Sequence, residues 1–257
     1  ASADKASQAQ QATEKAVTSL SAVLTNSAGT HNSIFRGKNL GSAVTDAQWA
    51  AIKAGTFTDL YVGDYWVIGG VNWRIGGFDY NLRCGDTDFT THHVLIVPDS
   101  SMYSHNMNAT NTTVGGYVNS LMRLEGLAQA KQKAVAAFGS SHVLSHRIYL
   151  VNAVTNGKPS GGAWFDGTVE LMNECMVYGS HIFAPACDGS TIVTNYTTEK
   201  SQLPLFQLAP NLISNRQWFW LRDVVSSSYF ASVNGHGDAN YDYASHENGG
   251  RPYFLIG

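Results

Sequence analysis

The sequence predicts an α+β fold: an N-terminal helix, then a domain that mixes helices with strands and becomes loop-rich in its second half. Two observations predict it. Apolar residues recur at helical spacing in some stretches and alternate at period two in others. From about residue 179 onward Gly, Ser, Asn and Tyr dominate, and only short strand-like runs remain.

In order along the chain, residues 1–26 are rich in Ala, Gln, Lys and Ser, with Ala6, Ala9, Ala16, Val17, Leu20, Val23 and Leu24 marking a thin helical stripe. Such a helix is marginal alone, so residues 1–30 are expected to form a helix and linker, and the seam suggests an oligomerisation stalk with a homotrimer as the expected assembly. "SAGTHNS" reads as the joint, and residues 31–257 as a single domain. "TDAQWAAIKAG" is a short helix with a capping box, Thr45 and Gln48, and a stop at Gly55. "LYVGDYWVIGGVNWRIGGFDY" alternates around Gly69 and Gly70, a hairpin, and "HHVLIVP" is a strand. Val118, Leu121, Leu124, Leu127 and Ala128 predict a helix ending at Gly139, and "HRIYLVNAV" a strand. "TVELMNECMVYG" is expected to be a further helix. "QWFWLR", "SYFASV" and "RPYFLIG" are the late strands, with Trp218, Phe219, Trp220, Leu221 and Phe230 as buried anchors.

The 257 residues, 44% of them hydrophobic, supply a substantial core. Only 14% are charged and the formal net charge is −3, which argues against a nucleic-acid partner or an anionic membrane surface. No apolar run reaches the length of a membrane span, so no membrane insertion is expected. Cys84, Cys175 and Cys187 have no metal-site spacing and an odd count, and are expected to be reduced.

Motifs of catalysis are sparse. Asp166, Glu170 and Glu174 would share one helix face and its approach, the pairing that glycoside hydrolysis needs, but helix-end and solvated roles are commoner for such acids. His142 and His146 have ligand spacing without the Glu of HExxH or a third ligand. His92 and His93 are adjacent and point to opposite faces of a strand. No glycine-rich phosphate loop or GxSxG elbow is present. No cofactor is expected, although Asp and Asn oxygens leave room for a structural calcium.

The closing segment is different. Between Ser226 and Asn248, 15 of 23 positions are Asn, Asp, His, Ser or Tyr. Asparagine codons begin with two adenines, and a change at either gives Asp, His, Tyr, Ser, Thr or Ile and never a stop. The composition matches adenine-targeted mutation of Asn codons, with Glu247 outside that route. A plain solvated or sugar-binding loop is the simpler reading, since Asn, Asp, Ser and Gly dominate turns for backbone reasons. The apolar frame around the polar positions, a fixed scaffold under changeable side chains, favours an adaptable binding surface.

"WFWLRDVVSSSYFASVNGHGDANYDYASHENGGRPYFLIG" resembles the variable region of proteins diversified by retroelements, whose C-type-lectin-like fold displays variable side chains on a stable sheet. "FRGKNLGSAVTDAQWAAIKAGTF", "GDYWVIGGVNWRIGGFDY", "HHVLIVPD" and "QLPLF" resemble blocks of tail or receptor-binding proteins of bacteriophages of gut bacteria. The resemblance covers about residues 34–257. It implies a C-type-lectin-like domain over 31–257 with its variable region at about 220–257. The implied contact surface is Ser227, Ser228, Tyr229, Ser232, Asn234, His236, Asp238, Asn240, Tyr241, Asp242, Tyr243, His246, Asn248 and Tyr253. Arg222, Asp223, Gly237, Ala244, Gly250, Arg251 and Pro252 are implied to be frame. The implied function is non-enzymatic recognition, from the virion tail, of a bacterial cell-surface protein or glycan. The alternative is an adhesin on a bacterial surface, and a glycan-active enzyme comes third.

Overall fold

A computed structural model describes residues 2–25, 27–185 and 199–257. The chain begins with helices α1 (Ser2–Thr25), α2 (Ala28–Asn32) and α3 (Asp46–Lys53). Strands β1 (Tyr65–Ile68), β2 (Val71–Phe78), β3 (Val94–Pro98) and β4 (Tyr103–Asn106) follow. A π-helical turn at Met122–Gly126 runs into α4 (Leu127–Phe138). Next come β5 (Val143–Leu144), β6 (His146–Thr155), β7 (Lys158–Gly167), β8 (Val169–Leu171), α5 (Glu174–Tyr178) and α6 (Pro204–Leu208). The last strands are β9 (Phe219–Val224), β10 (Tyr229–Val233), β11 (Ala239–Tyr243), β12 (Glu247–Gly250) and β13 (Pro252–Ile256). The fold is α+β. No helix among the described residues is long and apolar enough to cross a membrane.

The first sheet runs β1-β2-β3-β13-β5, with β8 also pairing β13. The second runs β11-β10-β9-β12-β4, and β6 and β7 form a separate ribbon. The closing segment therefore serves both large sheets: β9 to β12 belong to the second, and β13 lies in the interior of the first, against β3, β5 and β8. All five residues of β13 are buried, which accounts for the unbroken apolar run "YFLI".

Two core clusters meet at β9 and β10. Phe219, Leu221, Ala231 and Val233 enter the cluster packed with the first sheet. Trp220, Val224 and Phe230 enter another with Met122, Ile148 and Leu150. Alternating side chains are thus covered on both faces of these strands, and each large one contributes about 1.5–3 kcal/mol by leaving water. Trp218 departs from the expected anchors: it precedes β9 and is 41% exposed.

Several expectations hold. α3 has the capping box, with the Thr45 hydroxyl accepting from Gln48 N at 3.2 Å and Gln48 Oε1 accepting from Thr45 N at 3.0 Å. β1 and β2 form a hairpin about Gly69 and Gly70, whose φ values of 60° and 76° suit glycine. α1 is helical, and residues 4–21 are exposed along its whole described surface.

Others fail for identifiable reasons. The helix after Tyr117 begins as a π turn, which shifts the phase of its apolar face. Met122, Leu127, Ala130, Ala134 and Phe138 are buried, whereas Leu124 is 61% exposed and Ala128 is also outside the core. "TVELMNECMVYG" is only partly helical, because Val169–Leu171 pairs with β13 as a fully buried strand. Asn173 then caps α5, accepting from Met176 N at 2.7 Å. Cys175 is disulfide-bonded, contrary to the expectation of reduced thiols, while Cys84 is free. Cys187 lies outside the described residues.

Candidate functional site

Residues opposite one another in an antiparallel pair share a face of the sheet. Tyr229 faces Tyr243 and Ala231 faces Tyr241, so three tyrosines crowd one side of the β10–β11 hairpin around a small residue. Their rings touch: centroids lie 4.4 Å apart for Tyr229 and Tyr243, and 5.1 Å for Tyr229 and Tyr241. Phe183 extends the row beyond Tyr241 at 5.0 Å, and His246 extends it beyond Tyr243 at 5.3 Å. Tyr241 and Tyr243 are 41% and 39% exposed. The result is a continuous five-ring row with open faces. A hydrogen bond with Tyr243, together with partial burial, pushes the Tyr229 hydroxyl up to about 12.

Polar side chains brace this row. Asp242 accepts from His246 Nδ1 at 2.8 Å, Asn248 Nδ2 at 3.0 Å and the Tyr243 backbone N–H at 2.8 Å. Asn240 accepts the Tyr241 N–H at 2.8 Å. Asn234 closes the hairpin loop, its side-chain oxygen accepting from His236 N at 2.8 Å and Asp238 N at 3.0 Å. At the other end Asn111 accepts from the Ser245 hydroxyl and N–H, and Thr113 donates to the Ser226 carbonyl at 2.6 Å.

Of the residues implied to contact a ligand, Ser227, His236, Asp238, Tyr241, Tyr243 and His246 are exposed. Ser228, Tyr229, Asn234, Asn240 and Asp242 are half-buried on the same margin. Three do not reach the surface. Ser232 is fully buried, because β10 is covered on both faces where it lies against β9. Asn248 is 9% exposed and acts behind the row through Asp242. Tyr253 is buried in β13 and donates to Glu199, in a cluster with His146 and Arg222.

That cluster is part of the frame. Arg222 donates to Glu199 at 2.5 Å, and His146 Nε2 lies 3.3 Å from the same carboxylate. Burial alone would raise Glu199, but the Arg222 charge and the His146 and Tyr253 hydrogen bonds prevail and hold it at about 2. Arg251 is also buried, with its guanidinium bound to the Pro98, Ile213 and Leu212 carbonyls and facing the Phe206 and Phe219 rings. Burial lowers it to about 10.

The acids and histidines weighed for catalysis do not converge. Asp166 is exposed and paired with Arg147 at 3.1 Å. Glu170 is a strand residue, held by Arg123 at 3.0 Å and the Tyr117 hydroxyl at 2.6 Å. Glu174 is fully buried at the start of α5. His142 stacks on Trp49 at 3.8 Å while His146 begins β6, so they do not form a helical pair. His92 and His93 both turn to Asp79, with His92 Nδ1 at 2.8 Å from it and the His93 backbone N–H donating at 3.0 Å. No group of three or more His, Cys, Asp or Glu suited to a metal ion occurs among the described residues.

Sequence reasoning did not single out Phe183, which completes the row. It lies in "SHIFAPA" with neither helical nor strand periodicity, and nothing in that mostly apolar stretch sets Phe183 apart from its neighbour Ile182. No family model, curated protein or solved structure matches the chain.

Proposed function

We propose that this chain is a non-enzymatic receptor-binding protein of a phage tail. Its C-type-lectin-like domain carries a retroelement-diversified surface that grips a bacterial cell-surface protein or glycan. The observation that carries the reading is the row Phe183, Tyr241, Tyr229, Tyr243 and His246, displayed on a hairpin whose neighbouring strands are covered on both faces. Tyrosine supplies large contact area at low entropic cost, and Ser, Asn and Gly adapt their hydrogen bonds, as in antibody paratopes. The frame bears the folding energy, so the margin is free to vary. Copies joined through α1 would turn modest single-site affinities into avidity.

The test replaces Tyr229, Tyr241 and Tyr243 together by Ser and measures binding of the labelled full chain to a panel of gut bacterial isolates. Binding is expected to vanish while the melting temperature stays within a few degrees of the parent. Undiminished binding by the triple variant refutes the row as the contact surface. At the encoding locus, a near-copy of residues 220–257 is expected to differ at adenines, and differences scattered over all bases refute the diversification reading.

A further inference from the structure

The tyrosines of the row differ from two half-buried tyrosines nearer the N-terminus. Arg36 lies over the Tyr61 ring with its guanidinium carbon 4.6 Å from the centroid, and Arg74 lies over Tyr65 at 4.7 Å. Among the described residues no Lys or Arg lies over Phe183, Tyr229, Tyr241 or Tyr243. The charge around these open faces is also one-sided. From Val224 to Gly249 the chain has no Lys or Arg, and it has three acids, Asp238, Asp242 and Glu247. Asp242 stands at one end of the row, accepting from the Tyr243 N–H and from His246 Nδ1, both at 2.8 Å. Its charge is felt across the hairpin: after the Tyr243 hydrogen bond, partial burial and the neighbouring tyrosines, it helps to hold up the Tyr229 hydroxyl. At the other end the buried Glu174 carboxylate lies behind Phe183, bound by three backbone N–H groups and by no cation among the described residues. Backbone donors stabilise that charge without cancelling it.

Open aromatic faces backed by carboxylates at both ends attract cations, because the face of a ring is itself the negative part of its quadrupole. Guanidinium suits them better than ammonium, since it is flat, weakly hydrated and stacks on rings. A compact quaternary ammonium calls for a cage of rings around it. This row is open along its length, which suits several cations carried on one chain. A neutral glycan would draw nothing from the two carboxylates, and an anionic one would be repelled. Resting on the reading of the row as the contact surface, we infer that its occupant is an exposed basic segment of a bacterial surface protein, with arginine side chains stacked on the Tyr241 and Tyr243 rings.

The experiment titrates the isotope-labelled full chain with the peptide N-acetyl-Gly-Arg-Gly-Arg-Gly-amide and follows the ring resonances of Tyr229, Tyr241 and Tyr243. Controls are the same peptide with citrulline for arginine, which keeps the shape and loses the charge, and tetramethylammonium chloride. The arginine peptide is expected to shift the rings at millimolar concentration and the citrulline peptide to bind about tenfold more weakly. Added salt should weaken the arginine peptide, and Asp242→Asn should lessen its advantage over citrulline. Absence of shifts at ~20 mM peptide overturns the inference. So do equal binding of the two peptides, tighter binding of tetramethylammonium, or undiminished arginine binding after replacement of the three tyrosines by serine. The two readings fail separately. If that triple variant loses bacterial binding while the arginine peptide does not bind the parent, the row remains the contact surface and only the basic partner falls. If the peptide binds at the row and the triple variant still binds bacteria, the cation site stands and the row is refuted as the contact with the cell.

Discussion

The buried carboxylate of Glu174 accepts the backbone N–H of Phe183 at 3.1 Å, and so ties a core helix to the end of the aromatic row. The same carboxylate accepts Ile182 N at 2.8 Å and Ala184 N at 3.1 Å, while Glu174's own N–H donates to Asp223 at 2.6 Å. One acid thus shapes a loop that has no regular structure of its own. Glu174→Ala leaves three N–H groups without this acceptor and is expected to destabilise the protein by ~2–4 kcal/mol. Amide exchange at 182–184 should accelerate more than in β13. Unchanged exchange there would show that the loop is held by something else.

Acid should weaken the fold in two stages. His93 is buried and, chiefly through burial, lowered to about 4 from an ordinary 6.5, and its Nε2 accepts Asn81 N at 3.1 Å, which requires the neutral ring. The unfolded chain takes up this proton first, so stability falls as pH drops from 6.5 through 4. Glu199 is lowered to about 2 from 4.5, so its contribution is complete above 4.5 and is lost as pH falls through 2. Each stage amounts to at most ~3 kcal/mol. Urea unfolding as a function of pH should show both, and His93→Gln should flatten the first. A parent protein equally stable across the upper window contradicts this assignment.

How much was legible in the sequence depended on whether the signal was local. The α3 capping box and the Gly69–Gly70 hairpin are short-range devices, and the sequence places both where they occur. The alternating frame of β9 and β10 was visible too. Tyr253 is not separable by sequence from the surface tyrosines, because what buries it is the place of β13 inside the first sheet, between β3 and β8, and the partner of its hydroxyl, Glu199, lies 54 residues away. Ser232 was misplaced because polarity implies exposure only where one face of a strand meets water. The helix after Tyr117 was misphased because a π turn leaves no periodic trace, although Gly126 has a physical reason to be there: a Cβ would lie 2.9 Å from Met122 Sδ and 3.2 Å from the His105 ring.

The exposed edge of the second sheet carries its own protection. β11 is an edge strand, and unpaired edge amides invite pairing with another chain. Asn240 and Asp242 each cover the N–H of the following tyrosine. Replacing both with Val frees these amides and adds β-branched apolar surface, so self-association should rise at unchanged secondary structure. Light scattering against concentration reads this directly. A double variant that stays as monodisperse as the parent shows that these side chains do not guard the edge.

α1 is expected to find its partner in other copies of the chain. A 24-residue helix rich in Ser, Thr and Gln, with residues 4–21 exposed throughout, gains little from its own domain. Ala6, Ala9, Thr13, Ala16 and Leu20 follow the alternating three- and four-residue spacing of a coiled-coil seam, and Val17 and Leu20 remain 57% and 60% exposed in the single chain. Burying Leu20 against its symmetry mates would contribute ~1.5–3 kcal/mol per chain, which Leu20→Asp would abolish. Sedimentation equilibrium should therefore give a trimer for the full chain and a monomer both for Leu20→Asp and for residues 27–257 alone. A full chain that sediments as a monomer at all concentrations removes the stalk and, with it, the avidity argument.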